Sequence, residues 1–292
     1  MNLLPRIAAN MAEHIDPDFK LSTYESLGGG CISAAYRLDG ENGASYFVKT
    51  NTVSQYDMFA AEAEGLQAMS ATNSITVPRP YIWDIEGNYA YLVMEYLPMG
   101  RGGSGGLLGE QLATMHHATR AQFGWHRDNT IGSTAQINTP VSDWVTFWRH
   151  HRLGYQLQLA AQNGFGGTLQ DKGFRLLDSF HQLFAGITLQ PSLLHGDLWS
   201  GNYAYMPNGM PVIFDPAVYY GDREADIAMT ELFGGFGRDF YDAYNASWPL
   251  DSGYRQRKTL YNLYHILNHA NLFGGGYARQ AEGMIDKLLS EL

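Results

Sequence analysis

The sequence predicts an α+β fold of two lobes, a small antiparallel β-sheet N-lobe and a larger, mainly helical C-lobe. Three observations carry this. Short strand-like runs joined by Gly, Asn and Asp turns dominate residues 21–97. A glycine-rich stretch, 98–106, reads as a linker. Beyond it helical periodicity prevails, interrupted by a strand-and-turn island at 193–215. The division expected is 1–97 for the N-lobe and 98–292 for the C-lobe, and no internal repeat is visible.

The first element expected is a helix over 1–14, apolar at Leu3, Leu4, Ile7, Ala8 and Met11 and stopped near Asp16-Pro17. Strands follow over 21–27, 32–38 and 45–50. Gly28-Gly29-Gly30 separates the first two, and a turn at Asp39-Gly40-Glu41-Asn42-Gly43 the next two. A helix over 58–70 precedes a hairpin, 81–85 with 89–96, turning at Glu86-Gly87-Asn88. Helices are then expected over 107–119, 141–162 and 173–184, and again after the island.

Composition limits the function classes. An apolar fraction of 45% and a charged fraction of 16% over 292 residues describe a globular chain. A net charge of −10 argues against broad contact with nucleic acid or anionic membrane, since both would repel it. Cys31 is the only cysteine, so no intrachain disulfide and no thiolate metal cluster can form, which fits a reducing compartment. The first twenty residues lack a basic stretch followed by a long apolar one, and no apolar run approaches transmembrane length. A cytoplasmic monomer is expected.

The chemistry concentrates in His195-Gly196-Asp197-Leu198-Trp199-Ser200-Gly201-Asn202, where an aspartate precedes an asparagine by five residues. That spacing suits phosphoryl transfer, with Asp197 on the acceptor hydroxyl and Asn202 on Mg²⁺. Thirteen residues after Asn202 comes Asp215, in Ile213-Phe214-Asp215-Pro216, leaving a strand at a turn as a second metal ligand. Lys49 closes the strand Phe47-Val48-Lys49 after the glycine-rich loop, as a phosphate-binding lysine would. Phe59, Glu62, Leu66 and Met69 share one face of the 58–70 helix, so Glu62 is turned inward and needs a cationic partner; Lys49 is the expected partner, the alternative being a Glu62 that reaches back to solvent. Gly28, Gly29, Gly30, Cys31, Ile32 and Ser33 would cover the phosphates with backbone N–H groups. Glu95, Tyr96 and Leu97, just before the linker, would offer backbone groups to adenine. The cofactors implied are ATP and Mg²⁺.

With these parts in order, the chain resembles the fructosamine kinase (ketosamine-3-kinase) family, a branch of the protein-kinase-like fold near aminoglycoside phosphotransferases and choline kinases. The resemblance is carried by Gly28–Ser33, Val77-Pro78-Arg79-Pro80, Gly109-Glu110-Gln111-Leu112-Ala113, Asn129-Thr130-Ile131-Gly132-Ser133-Thr134, Leu194–Asn202, Asp215-Pro216-Ala217 and Phe233-Gly234-Gly235-Phe236. It implies ATP-dependent phosphorylation of a ketosamine, of ribulosamine, erythrulosamine or fructosamine type, at its sugar 3-hydroxyl, in deglycation. It also implies Asp197 as the base or hydroxyl-orienting carboxylate, Asn202 and Asp215 as Mg²⁺ ligands, and Lys49 with Glu62 on the phosphates. Aminoglycoside or choline-like acceptors remain the alternative; a nucleotide-binding scaffold fits less well with the complete residue set. Two features depart from the family pattern: Asp222, where histidine is expected, and the glycine-rich 100–106 stretch, which suggests a more mobile linker.

Other signals read as structural. Asp226 is expected to bond backbone N–H groups of the Asp197 loop. Trp199 suits either sugar stacking or core packing. Gly102-Gly103-Ser104-Gly105-Gly106 satisfies G-x-S-x-G without the strand a nucleophile elbow needs. His265 and His269 lack the glutamate of a zinc helix, with Ile266 in its place. His116-His117 and His150-His151 read as surface pairs, and the aromatics of 144–148 and 254–264 as core. Cys31 could be oxidised or link two chains; a small residue fitting a tight loop is the plainer reading.

Overall fold

The computed structural model describes residues 3–28 and 32–292; Gly29, Gly30 and Cys31, three of the residues expected over the phosphates, lie outside the described residues. The chain packs into two compact units. The first comprises Met1–Gly103 with Ala204–Asp215, the second Ser104–Tyr203 with Pro216–Leu292.

In the first unit, helix α1 (Leu3–His14) buries Leu4, Ile7, Ala8 and Met11 along one face. Strands β1 (Leu21–Leu27), β2 (Ala34–Gly40) and β3 (Ser45–Thr52) lead to α2 (Tyr56–Ser70), then β4 (Pro80–Glu86) and β5 (Tyr89–Glu95). The strands form an antiparallel sheet in the order β1-β2-β3-β5-β4. The buried face of α1 joins Phe19, Leu38, Tyr46, Val48, Tyr91 and Val93 in one apolar cluster. Because strand side chains alternate, Tyr46, Val48 and Thr50 are buried on one face of β3 while Lys49 points to the other.

Residues 98–103 and 204–215, placed with the second lobe in the sequence reading, pack with this unit. Ile213 N donates to Thr76 O at 3.1 Å, and Gly100 N to Tyr205 O at 2.6 Å. The glycines at 100–106 are not a loose tether. A Cβ on Gly100 would meet Met206 O at 2.7 Å, and one on Gly103 would strike the Tyr205 ring and Gly209 O. Glycine is needed here because two backbones touch. Ser104 Oγ accepts from Leu107 N at 3.1 Å and so caps the next helix, which takes Gly105 and Gly106 as its first turn. The stretch expected to be mobile, 100–106, is thus packed at Gly100 and Gly103 and capped at Ser104, with open space only beside Gly102 among these.

The second unit opens with α3 (Gly105–His116) and a small hairpin, β6 (Asn129–Ile131) with β7 (Thr134–Gln136), turned by Gly132 at φ +63°. Next come α4 (Trp144–Trp148), α5 (Gly154–Gln162) and α6 (Thr168–Ser179). The helix expected over 141–162 is real but widened by a π turn at Arg149–Leu153. Arg152 in that turn is fully buried. It donates to Ile137 O at 2.6 Å and to Asn138 Oδ1 at 2.8 Å, and its guanidinium lies 4.0 Å from the centre of the Tyr219 ring. Strands β8 (Ser192–Leu194) and β11 (Tyr219–Gly221) pair antiparallel in this unit, while the hairpin strands β9 (Tyr203–Tyr205) and β10 (Pro211–Ile213) between them enter and form the segment that packs with the first unit. Helices α7 (Glu224–Leu232), α8 (Arg238–Ser247), α9 (Tyr254–Phe273) and α10 (Tyr277–Glu291) complete the chain. Trp144, Phe147, Trp148, Tyr261 and Tyr264 are buried together as core. Among the described residues no helix is long and apolar enough to cross a membrane.

Helix α9 also buries His265. Burial, helped by the neighbouring His269, pushes its imidazole from 6.5 down to about 3. The unfolded chain takes up this proton near pH 6.5, the folded chain only near pH 3. Across that window the unfolded state binds more protons, so stability is full above pH 6.5 and falls as pH drops towards 3. Urea unfolding at a series of pH values should record this fall, and His265→Gln should flatten it.

Candidate active site

The first unit assembles a cation between two carboxylates. The alternation of β3 turns Lys49 towards α2, and helical periodicity turns Glu62 towards β3, since Phe59, Leu66 and Met69 on the same face are buried. Lys49 Nζ donates to Glu62 Oε1 at 2.6 Å and to Asp215 Oδ1 at 2.7 Å. The second contact adds to what spacing implied: Asp215, read as a metal ligand, also holds the lysine. Burial alone would lower the Lys49 pKa, but the charges of Glu62 and Asp215 reverse this and raise it above the ordinary lysine value. The ammonium stays charged and fixed in place. Asp215 adopts φ +57°, a left-handed conformation that residues other than glycine rarely take and that is common at working sites.

The first unit also carries Gly28, Ile32, Ser33, Glu95, Tyr96 and Leu97. Gly28 has open space where a side chain would stand. The far end of the glycine-rich loop is tied down by Asn51, two residues beyond Lys49, whose Nδ2 donates to Ile32 O at 2.9 Å and Ser33 Oγ at 3.2 Å. Asn51 was not singled out in the sequence, although its position just after the lysine was a usable signal. At the end of β5, Glu95 N donates to Arg79 O at 2.8 Å, and Glu95 Oε2 accepts from Arg79 N at 3.3 Å. The Arg37 guanidinium lies 4.7 Å from the centre of the Tyr96 ring. Leu97 continues the chain from there into the glycine-rich stretch.

The second unit builds the Asp197 loop. Leaving β8, His195 is fully buried and Gly196 turns at φ +82°, where a Cβ would collide with Ala217 O. Asp226 Oδ2 accepts from His195 N at 2.7 Å and Oδ1 from Gly196 N at 2.9 Å, the role expected of it. Asp197 N donates to His195 Nδ1 at 3.2 Å, and Ala217 N to His195 O at 2.8 Å. Asn202 Nδ2 donates to Asp197 O at 2.9 Å and reaches Asp197 Oδ2 at 3.4 Å, which closes the loop on itself. Leu198 anchors the loop in the core, whereas Trp199 is 39% exposed, which decides against core packing for it.

His116 corrects the surface reading of His116-His117. It is fully buried, with Nε2 3.1 Å from Asp226 Oδ2 and Nδ1 2.7 Å from the Tyr244 hydroxyl. A carboxylate only accepts, so Nε2 carries the proton; Tyr244, itself accepting from Arg223 at 3.1 Å, donates to Nδ1. Burial lowers the His116 pKa, against the pull of Asp226, and keeps the ring neutral. Burial alone would raise Asp226, but His116 and the loop N–H groups outweigh it and hold the carboxyl below its usual range. His117, by contrast, stacks on Trp248 at 4.0 Å.

Asp222, the departure from the family pattern, is also buried and structural. It accepts from the Tyr261 hydroxyl and from Glu224 N at 3.1 Å. Beside it, buried Arg257 donates to both Glu224 oxygens, at 2.7 and 2.9 Å, and to Asp251 at 2.8 Å, tying α7 to α9.

The donor chemistry fits Mg²⁺. In the first unit Asp215 offers a half-exposed carboxylate, and in the second Asn202 offers an amide oxygen; each is a hard oxygen donor of the kind Mg²⁺ takes. Among the described residues no three His, Cys, Asp or Glu side chains are grouped to cage a metal by themselves. One unit holds a strand lysine paired with a helix glutamate and a strained aspartate, the other a braced H-G-D-x-x-x-x-N loop, and these are parts that phosphotransferases of the protein-kinase-like fold use.

The fructosamine kinase family model matches residues 3–291, and the chain belongs to that family. It is 49% identical over 287 residues to a probable ketoamine kinase of Synechocystis sp., covering 97% of this chain and 96% of the relative. It is 46% identical over 279 residues to the chloroplastic protein-ribulosamine 3-kinase of Oryza sativa subsp. japonica, covering 94% of this chain and 80% of the relative. A crystal structure from Haemophilus somnus, provisionally assigned as a fructosamine-3-kinase, superposes with a TM-score of 0.88 at 30% identity, over 97% of this chain and 96% of that one.

Proposed function

We propose that the chain transfers the γ-phosphoryl group of ATP to the sugar 3-hydroxyl of a ketosamine, giving a ketosamine 3-phosphate and ADP. Loss of the amine from that product would make the reaction a deglycation, which suits a cytoplasmic enzyme. The observation that best supports phosphotransfer is Lys49, held charged at 2.6 Å from Glu62 and 2.7 Å from Asp215. A fixed cation of this kind can pair with phosphate oxygens without reorganising. The ketosamine acceptor is supported by the ketoamine and ribulosamine kinases among the relatives.

In this reading Lys49, steadied by Glu62, binds nucleotide phosphates, and the backbone of 28–33 covers them. Glu95, Tyr96 and Leu97 supply the adenine contact. Asp197 orients the acceptor hydroxyl and takes its proton, with Asn202 and Asp226 fixing its backbone. Asp215 and Asn202 would hold Mg²⁺, which supplies neutralisation of charge on the phosphate oxygens. An aminoglycoside or choline-like acceptor would use the same parts.

Assaying ribulosamine, erythrulosamine, fructosamine, choline and aminoglycosides with Mg-ATP separates the two. Turnover of a ketosamine is expected; turnover of another acceptor with none of any ketosamine would overturn the substrate choice. For the metal, Asp215→Asn should weaken nucleotide binding by about 10-fold or more in Mg²⁺. The loss should shrink when the titration is repeated in chelator. An equal loss in both conditions would remove Asp215 as a metal ligand.

A further inference from the structure

The β6–β7 hairpin supplies none of the site residues proposed above, yet it is tied to the backbone that touches the Asp197 loop. Asn129 and Gln136 are paired across it. Asn129 Nδ2 donates to Val218 O at 2.8 Å, and Gln136 Nε2 to Ala217 O at 3.0 Å. Ala217 and Val218 are buried and lie outside any strand, so side-chain amides satisfy carbonyls that no sheet ladder reaches. Ala217 in turn grips the loop. Its N–H donates to His195 O at 2.8 Å, and its carbonyl occupies the place a Cβ on Gly196 would take. The backbone before Asp197 is therefore held twice, at its N–H groups by Asp226 and at its carbonyl by Ala217.

The amides of this hairpin can point in one direction only. Buried Arg152 is purely a donor, and its Nη2 gives a hydrogen bond to Asn138 Oδ1 at 2.8 Å. That leaves the Asn138 amide nitrogen to donate to Asn129 Oδ1, also at 2.8 Å, and the Asn129 amide nitrogen to Val218 O. Gln136 is set from another side. Burial keeps the Tyr264 hydroxyl protonated, and it donates to Gln136 Oε1 at 2.8 Å. Nε2 is then the atom left for Ala217 O and for Asn129 Oδ1, at 2.9 Å. With donors at one end and backbone carbonyls at the other, a flip of any amide would break the chain. A buried network satisfied in this way is stiff.

Resting on the reading of Asp197 as the group that orients the acceptor hydroxyl, we infer that Gln136 is a positioning residue for phosphoryl transfer, acting through Ala217 on the peptide that aims the Asp197 carboxylate. Gln136 is only 1% exposed and meets neither ATP nor acceptor in this assignment. Its effect is on geometry. A displacement of about 1 Å at a reacting group can cost about 100-fold in rate, and His195 O is the one loop carbonyl that Ala217 N fixes. Tyr264 contributes by holding the Gln136 amide the right way round.

The test measures kcat per folded molecule and KM for ATP in the full chain carrying Gln136→Met, which keeps the volume of the side chain and removes its donor. We expect kcat to fall by about 10-fold with KM for ATP little changed. The same substitution is then made in Asp197→Asn. There it should cost about 2-fold or less, because a positioning effect disappears with the group being positioned. An equal loss in both backgrounds, or an unchanged kcat in Gln136→Met, would overturn the assignment and leave the hairpin a purely structural brace. Tyr264→Phe is the milder variant; it keeps the Gln136 amide but lets it turn, and should show a smaller loss confined to kcat. Where Gln136→Met gives too little folded protein, an unchanged kcat in Tyr264→Phe overturns the assignment in its place. Turnover by Asp197→Asn equal to that of the unaltered chain would instead fail the reading of Asp197 itself.

Discussion

Asp197→Asn should lower kcat by about 10²- to 10⁴-fold while leaving the affinity for ATP nearly intact. The substitution keeps the size and planarity of the side chain and removes its charge and basicity. The loop should keep its shape, because Asn202 also donates to the Asp197 carbonyl at 2.9 Å and Asp226 holds His195 and Gly196 from below. Lys49, the residue proposed to bind the phosphates, belongs to a different unit of the chain, where Glu62 and Asp215 fix it. Turnover with a ketosamine acceptor and calorimetric ATP binding report the two effects separately. Turnover comparable with the unaltered chain would take Asp197 out of the chemistry. Loss of ATP binding in step with turnover would show that the residue supports nucleotide geometry instead.

The parts of this site that were legible in the sequence are those set by short-range geometry. A strand alternates and a helix repeats at 3.6 residues, so the faces carrying Lys49 and Glu62 could be assigned separately and then joined by the need to neutralise a buried carboxylate. The five-residue interval from Asp197 to Asn202 lies within one loop, which the Asn202 amide closes on Asp197. Long-range partners left no such trace. His116 looks like half of a surface histidine pair, because nothing near it announces Asp226, 110 residues away. Glycine misled for a related reason. Gly100 and Gly103 lack side chains because backbone or ring atoms press against them, but in a sequence a crowded glycine and a free one look alike. Composition therefore suggested a tether where packing made a joint. The ring contacts were equally hidden, since Trp199 meets Phe233, and His269 bridges Phe233 to Phe273, only once distant parts of the chain have folded together.

Asp226→Asn should lower the unfolding free energy by about 1–3 kcal/mol. The wild-type carboxylate accepts three hydrogen bonds while fully buried: His195 N on Oδ2, Gly196 N on Oδ1 and His116 Nε2 on Oδ2. Asparagine keeps one acceptor oxygen and replaces the other with an N–H donor. Whichever way the amide is turned, a donor faces a donor, and at least one buried N–H loses its partner. The loss is a sizeable share of a typical stability of about 5–15 kcal/mol, so the urea midpoint should drop. A role confined to stability would leave the folded fraction as active as before. Positioning predicts more: the two N–H groups released belong to the residues just before Asp197. In the cold, where enough of the variant remains folded, kcat per folded molecule should fall while KM for ATP stays close to normal. His116→Gln should reproduce part of the stability loss with a smaller fall in kcat, since it removes one of the three donors and leaves both loop N–H bonds in place. A midpoint unchanged by Asp226→Asn would mean that the carboxylate does not carry the loop.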